Sequence, residues 1–359
     1  MNPLAPYTKN GLINIDKTNM AQLKHKYSKK ELMVFFNRLE LKFPFKEYYI
    51  FTEMSAKDRL TVGNNNKVTM EKCDIKNMDI KTTIKKYKTI TTVLKNIKLY
   101  NYHIISDSYT ENCRVKSTIK NELSVWEYFF NKKLREKWLF IDKLEELNTK
   151  TLRDSLYYNL HNVELTLFPG IVALTIYKLF NATRILDMSC GWGDRLLAAI
   201  SYENNLQYYY GIDPNKCLFS GYNKIISLAK NTSKFVMINK PFETVIINKK
   251  FDMMFSSPPY FEFEKYSTDT TQSYIKYRSL NSWLKNFMFV SIKKIYNLLD
   301  LNGYLCLNIS DTGSIPYVSD ILQYIEKIGF IFIEVYGYIK YTSCRPIYVF
   351  QKRQQMLIK

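Results

Sequence analysis

Four consecutive residues, Ser257-Pro258-Pro259-Tyr260, carry the most specific chemistry in the chain. They follow an apolar run, Phe251-Asp252-Met253-Met254-Phe255-Ser256, that reads as a strand. Such a segment suits a substrate whose reacting atom is an exocyclic amino nitrogen. That nitrogen is a poor nucleophile, because its lone pair is delocalised into a ring. It reacts when acceptors take up its N–H groups, let it rehybridise and stabilise the developing positive charge. Ser257 offers a side-chain acceptor and Pro258 a carbonyl. Two prolines fix φ, so both acceptors are set before a substrate arrives. Tyr260 offers a face on which an extruded base can stack. A proline pair can also simply end a strand; what precedes it decides between the two.

A second constellation lies upstream. The run Arg184-Ile185-Leu186-Asp187 leads into Met188-Ser189-Cys190-Gly191-Trp192-Gly193 and then a helical segment. Glycines at 191 and 193 permit a tight turn and close approach of backbone to a ligand. The helix start behind them directs N–H groups the same way. The next apolar run ends at Gly211-Ile212-Asp213-Pro214-Asn215, with Asp213 lying 20 residues beyond Gly193. An acid at that spacing, on the neighbouring strand tip, can accept both hydroxyls of a ribose. A dinucleotide fingerprint would place a third glycine at position 196, where this chain has leucine. The tetrapeptide follows Gly193 by 64 residues, in an order that puts both loops at adjacent strand tips.

The elements that must hold these loops are legible from about Thr183 onward. RILDM, QYYYGID, KFVMIN, FDMMFS, GYLCLNIS, FIFIEVYGYI and RPIYVFQ read as strands. Between them, DRLLAAISYE, KCLFSGYNKIISLAK, SLNSWLKNFMFVSIKKIYNLLD and YVSDILQYIEKIG have helical periodicity. Alternation of this kind builds a parallel sheet wrapped by helices. The last two strands are joined by only a few residues and must pair antiparallel. We therefore expect an α/β domain over 151–359 and a basic, mainly helical N-terminal region over 1–150. In that region KKELMVFFNRLELKF and LSVWEYFFNKKLREKWLFIDKLEEL look helical, and Val62 to Met70 reads as a turn.

Composition narrows the partners. The 359 residues carry a net charge of +19, which favours polyanions such as nucleic acid. The lysine surplus also matches the Lys, Asn, Ile and Tyr usage of an AT-rich coding sequence. Residues 1–150 hold 29 Lys and Arg against 17 Asp and Glu, and residues 151–359 hold 23 against 16. Lysines cluster at Lys24 to Lys30, Lys81 to Lys88 and Lys132 to Lys137. No stretch reads as a membrane span or a secretory signal, so a soluble intracellular protein is expected. Six scattered cysteines and three distant histidines argue against a disulfide framework or a metal site, with reduced thiols expected.

Together the three segments resemble the S-adenosylmethionine-dependent amino-methyltransferases with a D/N/S-PP-Y/F/W motif. The similarity is greatest to DNA-modification methylases of phages and large viruses, which carry SPPYF. It spans roughly Phe168 to Phe350 and extends into Glu264-Lys265-Tyr266, Gln272-Ser273, Gly303-Tyr304-Leu305 and Arg345 to Phe350. The resemblance implies a Rossmann-like class I methyltransferase sheet and S-adenosylmethionine as cofactor. Phe168, Pro169, Asp187, Ser189, Cys190, Gly191, Gly193, Asp213, Pro214 and Phe242 would be its neighbours. Among them, Asp187 would hold the methionine ammonium and Phe242 would stack on adenine. Small residues are commoner at the position of Trp192, which would pack under the loop or shape the cofactor's methionine end.

No separate target-recognition domain fits after Phe350. Base recognition then falls to the loop from Phe261 to Asn281, with Phe261, Tyr266, Tyr274 and Arg278 as substrate contacts, and to the basic N-terminal region. A leading serine is commonest among cytosine-N4 enzymes, yet the cofactor loop here precedes the tetrapeptide, unlike the usual serine-led order. Cytosine N4 and adenine N6 both stay open, with DNA favoured over RNA. The compartment would be host cytoplasm or nucleus if the chain is viral. The alternatives are an RNA base amino-methyltransferase and an inactive nucleic-acid-binding subunit of the same fold.

Overall fold

Among the described residues nine strands hydrogen-bond into one sheet, and the seven from residue 184 onward arise from short apolar runs rich in β-branched and aromatic residues. In chain order they are β1 (Thr69–Lys72), β2 (Thr92–Lys95), β3 (Arg184–Asp187), β4 (Tyr208–Ile212), β5 (Phe235–Ile238), β6 (Phe251–Ser256), β7 (Leu299–Leu307), β8 (Phe330–Lys340) and β9 (Ser343–Lys352). Their spatial order is β1-β2-β8-β9-β7-β6-β3-β4-β5. The computed structural model describes residues 1–45, 69–72, 85–87, 92–95, 104–119, 122–134, 146, 148–159, 165, 167–261, 263–311, 316–340 and 343–354. The expected turn at Val62 to Met70 lies outside these up to residue 68, and so do Lys81, Lys88 and Lys137 of the lysine clusters.

Strands β5, β4, β3, β6 and β7 run parallel to one another. β9 runs antiparallel between β7 and β8, paired with β8 from Phe330 opposite Lys352 to Lys340 opposite Ser343 with one register shift between Phe332 and Glu334. This is the mostly parallel sheet with a terminal antiparallel hairpin, and every strand expected from residue 183 onward is present. Its centre is buried on both faces, which is why β6 reads as an almost continuous apolar run. The helices Asp194–Ser201, Phe219–Ile226 and Val318–Lys327 also form where periodicity placed them, and a further helix, Gly170–Leu179, precedes β3. The long segment after Ser279 is helical from Leu280 to Leu298, with one π-helical turn over Leu284–Met288.

The chain divides into two compact units that interleave, instead of separating near residue 150. One comprises Met1–Ile50 with Glu111–Thr166, the other Phe51–Thr110 with Leu167–Lys359. The difference has a plain cause. β1 and β2 extend the sheet beside β8, with β2 parallel to it, so part of the N-terminal half belongs to the α/β unit. The other unit is mainly helical, as expected, with helices Lys17–Lys26, Lys29–Asn37, Val125–Phe130 and Thr149–Asn159. Ser28 with Glu31 and Ser124 with Glu127 form capping boxes that fix two of the helix starts. Leu32, Phe36, Phe43, Val125, Phe129 and Leu156 contribute to its own apolar core. Cys113 in this unit is buried and disulfide-bonded, so the expectation of reduced thiols fails there.

In the α/β unit Cys217 is likewise disulfide-bonded, while Cys190, Cys306 and Cys344 are free and buried. Singly scattered cysteines carry no pairing signal, because the fold and not the spacing brings sulfurs together. Among the described residues no helix is long and apolar enough to cross a membrane.

Candidate active site

Parallel strands deliver their C-terminal ends to one edge of the sheet, and there the two sequence constellations meet. β3 ends at Asp187 and β6 at Ser256, directly before the tetrapeptide. The Ser189 hydroxyl donates to the Ser257 carbonyl at 3.0 Å and lies 2.8 Å from Ser256 Oγ. Ser256 in turn donates to Asp187 Oδ1 at 2.8 Å. The Ser189 hydroxyl therefore joins the glycine loop to the segment that carries Ser257.

The glycine loop is shaped as its sequence requires. Gly191 has φ +61° and Gly193 φ +92°, both in the left-handed region that side chains disfavour. A Cβ added at Gly193 would come within 2.8 Å of Ile225 Cδ1, which closes that side of the turn. Beside Gly191 there is open space: an added Cβ would meet only Ser189 O, at 4.0 Å. Trp192 is buried, its ring edge-on to Tyr266 at 5.8 Å. The Thr110 hydroxyl donates to the Trp192 carbonyl at 3.1 Å, and Ser106 donates to Asp194 Oδ1 at 2.6 Å, steadying the start of the following helix.

Asp213 stands at the tip of β4 as expected. Its Oδ2 accepts the Gly191 N–H and its Oδ1 the Asn215 N–H, both at 2.9 Å. The Gly191 amide is thus committed to this acid. Burial pushes the Asp213 carboxyl up to about 6, against the pull of those two donors. Pro214 next to it is half-buried.

Several expected contacts are placed elsewhere. Asp187 is 0% exposed, and Arg195 clamps it with Nε to Oδ2 at 2.8 Å and an Nη2 contact to Oδ1 at 3.3 Å. Tyr209 adds a hydroxyl donor to Oδ2 at 2.9 Å. With both oxygens occupied, Asp187 anchors the loop from beneath and does not face outward to hold an ammonium group. Burial alone would depress the Arg195 guanidinium, but Asp187 holds it well above its ordinary range. Cys190 is buried with its sulfur 3.3 Å from the Tyr209 hydroxyl, and burial pushes its thiol up. Phe242 is 1% exposed and belongs to the core, so its ring is covered. Phe261 has φ +48°, its ring lies against Trp283 at 5.8 Å, and it too is a core residue. Pro169 is buried and its carbonyl accepts the Val172 N–H at the start of the Gly170–Leu179 helix. Phe168 is half-buried, with the Arg195 guanidinium 5.4 Å over its ring.

The remaining tetrapeptide and loop residues lie closer to the expectation. Ser257, Pro259 and Tyr260 are half-buried, and Pro258 is buried. The Tyr260 hydroxyl lies 3.4 Å from Ser257 Oγ, and Ser257 donates to Asn308 Oδ1 at 3.2 Å. Tyr266 bonds to Glu264, and Tyr274 donates to the Ser267 carbonyl at 2.5 Å. Arg278 is exposed. Among the described residues no group of three or more His, Cys, Asp or Glu could hold a metal ion.

Sequence reasoning missed Arg195, Ser256 and Asn308. Arg195 did carry a signal. A basic residue in the first turn of a helix opposes the macrodipole, and such a residue calls for a carboxylate partner.

No protein-family model and no curated protein sequence matches the chain. Solved structures resemble it distantly. TrmN from Thermus thermophilus is 16% identical with a TM-score of 0.39, over 51% of this chain and 48% of TrmN. The chain therefore matches about half the length of that protein. A Listeria monocytogenes protein assigned as a class I S-adenosylmethionine-dependent methyltransferase is 14% identical with a TM-score of 0.40, over 84% of this chain and 89% of that one. An rRNA methylase from Streptococcus thermophilus is 12% identical with a TM-score of 0.37, over 53% of this chain and 99% of that one. The fold class rests on the sheet itself: without the two added strands, its order β8-β9-β7-β6-β3-β4-β5, parallel except for β9, is that of a Rossmann-like class I methyltransferase fold.

Proposed function

We propose that this chain is an S-adenosylmethionine-dependent methyltransferase acting on an exocyclic amino group of a DNA base, cytosine N4 or adenine N6. The observation that carries this reading is the hydrogen bond from Ser189 to the Ser257 carbonyl, which ties a glycine cofactor loop to an amino-accepting tetrapeptide. The residues fit the cofactor at two points: the open space beside Gly191 and the acid at the tip of β4. Asp213 would hold the ribose hydroxyls, with Gly191, Gly193, Ser189 and Pro214 around it. When bound, S-adenosylmethionine supplies an electrophilic methyl group on a sulfonium sulfur.

The chain's own residues act on the base. Ser257 Oγ and the Pro258 carbonyl accept the amino N–H groups, so the nitrogen's lone pair is drawn out of conjugation. Tyr260 stacks on the base that has left its helix. Tyr266, Tyr274 and Arg278 lie on the loop that would contact flanking nucleotides, with Arg278 available to a phosphate. In the helical unit Lys24, Lys26, Lys29 and Lys30 are exposed and would add electrostatic attraction to the same polymer.

Tritiated methyl transfer to duplex DNA, single-stranded DNA and RNA, followed by nucleoside analysis, tests the whole reading. Label on N4-methylcytosine or N6-methyladenine from DNA is the expected result. Label from RNA alone would move the substrate to RNA. No label on any nucleic acid, with no binding of S-adenosylmethionine, would sink the proposal. Ser257→Ala should keep cofactor binding and lose about a hundredfold or more in turnover. Unchanged turnover in Tyr260→Ala would remove the stacking role.

A further inference from the structure

Asn308 follows the last residue of β7, beside the end of β6, and is 3% exposed. Four groups hold it: its side chain bonds the buried Tyr338 hydroxyl, and three further hydrogen bonds fix it. Its N–H donates to the Ser256 carbonyl at 3.0 Å, its Nδ2 donates to the Pro346 carbonyl at 2.7 Å, and its Oδ1 accepts the Ser257 hydroxyl at 3.2 Å. The orientation of the amide follows from its partners. A carbonyl can only accept, so the amide nitrogen must face Pro346 and the amide oxygen must face Ser257. An amide oxygen cannot donate, so the proton between Asn308 and Ser257 belongs to the serine. In the 3.4 Å contact between Ser257 Oγ and the Tyr260 hydroxyl, the tyrosine is then the donor.

We propose that Asn308 is a positioning residue that commits the Ser257 proton and so presents Ser257 to the substrate only as an acceptor. A free serine hydroxyl rotates and can donate to a carbonyl as readily as it accepts from an amine. A committed one rejects a base with a keto oxygen at the reacting position, since two acceptors would face each other at a buried contact. The site therefore selects cytosine over uracil and adenine over hypoxanthine through a residue that never touches the base. The inference rests on the reading of Ser257 as the amino acceptor.

The test uses the full chain, with wild type, Asn308→Ala, Asn308→Asp, Ser257→Ala and the double Ser257→Ala/Asn308→Ala variant. Wild type is assayed first, and absence of methyl transfer there overturns the underlying reading itself. With wild type active, Asn308→Ala should lower kcat by about tenfold to a hundredfold while the dissociation constant for S-adenosylmethionine and the KM for DNA hold. An oligonucleotide with uracil for cytosine and hypoxanthine for adenine should compete better against Asn308→Ala than against wild type. The double variant should be no slower than Ser257→Ala alone, because Asn308 acts only through that serine. Losses that multiply in the double variant, or an unchanged kcat in Asn308→Ala, would overturn the inference.

Asn308→Asp covers the case in which the alanine variant folds poorly. A carboxylate, like the amide oxygen, accepts the Ser257 hydroxyl and cannot donate to it. Asn308→Asp at neutral pH should therefore keep the wild-type resistance to the uracil- and hypoxanthine-substituted oligonucleotide that Asn308→Ala loses. An aspartate variant that these oligonucleotides inhibit as strongly as the alanine variant would equally overturn the assignment.

Discussion

Asp213 combines two roles that pull in opposite directions with pH. It is a buried carboxyl held near 6, and in the proposed function it must be ionised to accept two ribose hydroxyls. Cofactor affinity should be constant above about pH 7 and fall as pH drops through 6, by about tenfold per unit once well below it. Calorimetric titration of S-adenosylmethionine between pH 5 and 8 measures this, and a flat profile would remove Asp213 from the ribose. The stability effect has the reverse sign. A carboxyl whose folded pKa lies above its unfolded value of about 3.9 contributes stability below that value and loses it as pH rises through 6. Asp213→Asn should abolish both dependences, at a cost in cofactor binding of about 1.5 to 3 kcal/mol.

The glycine loop shows what an element adds to its residues. Both of its glycines have positive φ, so an alanine at either should cost about 1 to 2 kcal/mol in backbone conformation. Their surroundings then separate them. Gly193 is closed in by Ile225, so Gly193→Ala must also displace that side chain and should lower the thermal midpoint further. Gly191 faces open space, so Gly191→Ala should fold with only the backbone penalty yet lose cofactor affinity, as the added methyl occupies ligand space. Paired thermal melts and binding titrations read this, and equal affinity losses at the two positions would contradict it. The loop also shows how much of the site was legible. Its glycines and Asp213 were readable because φ and strand-tip position impose residue types that survive in any sequence window. The roles of Asp187, Phe242 and Phe261 were not, because whether a strand-end acid or ring faces in or out depends on partners distant in sequence. Arg195 occupies Asp187, and Trp283 receives Phe261. The strands from residue 184 onward were legible because a sheet buried on both faces demands apolar runs. β1 and β2 were not, since TMEK and TVLK at a sheet margin carry no such run.

At the scale of the molecule, the charge of +19 poses a question that one measurement answers. Lysine can accumulate through AT-rich coding without touching any ligand, or it can be arranged to neutralise phosphates. The two differ in salt dependence. Each phosphate neutralised contributes about −0.9 to the slope of log affinity against log salt for duplex DNA, and about −0.7 for a single strand. Binding by the wild-type chain should show a slope of several units. Charge reversal at Lys24, Lys26, Lys29 and Lys30, all exposed on the helical unit, should make that slope shallower by nearly one unit for each lysine that reaches a phosphate. Cofactor affinity should not change, because Asp213 and the glycine loop belong to the other unit. An unaltered slope in the reversed variant would mean that these lysines are compositional, and polymer recognition would then fall to Arg278 and the tyrosines of the loop after the tetrapeptide. Steep binding without methylation of any base would instead favour a nucleic-acid-binding subunit over an enzyme. The slope and the nucleoside assay are therefore read together: one reports whether the polymer is held by its phosphates, the other whether an amino group on it is the target.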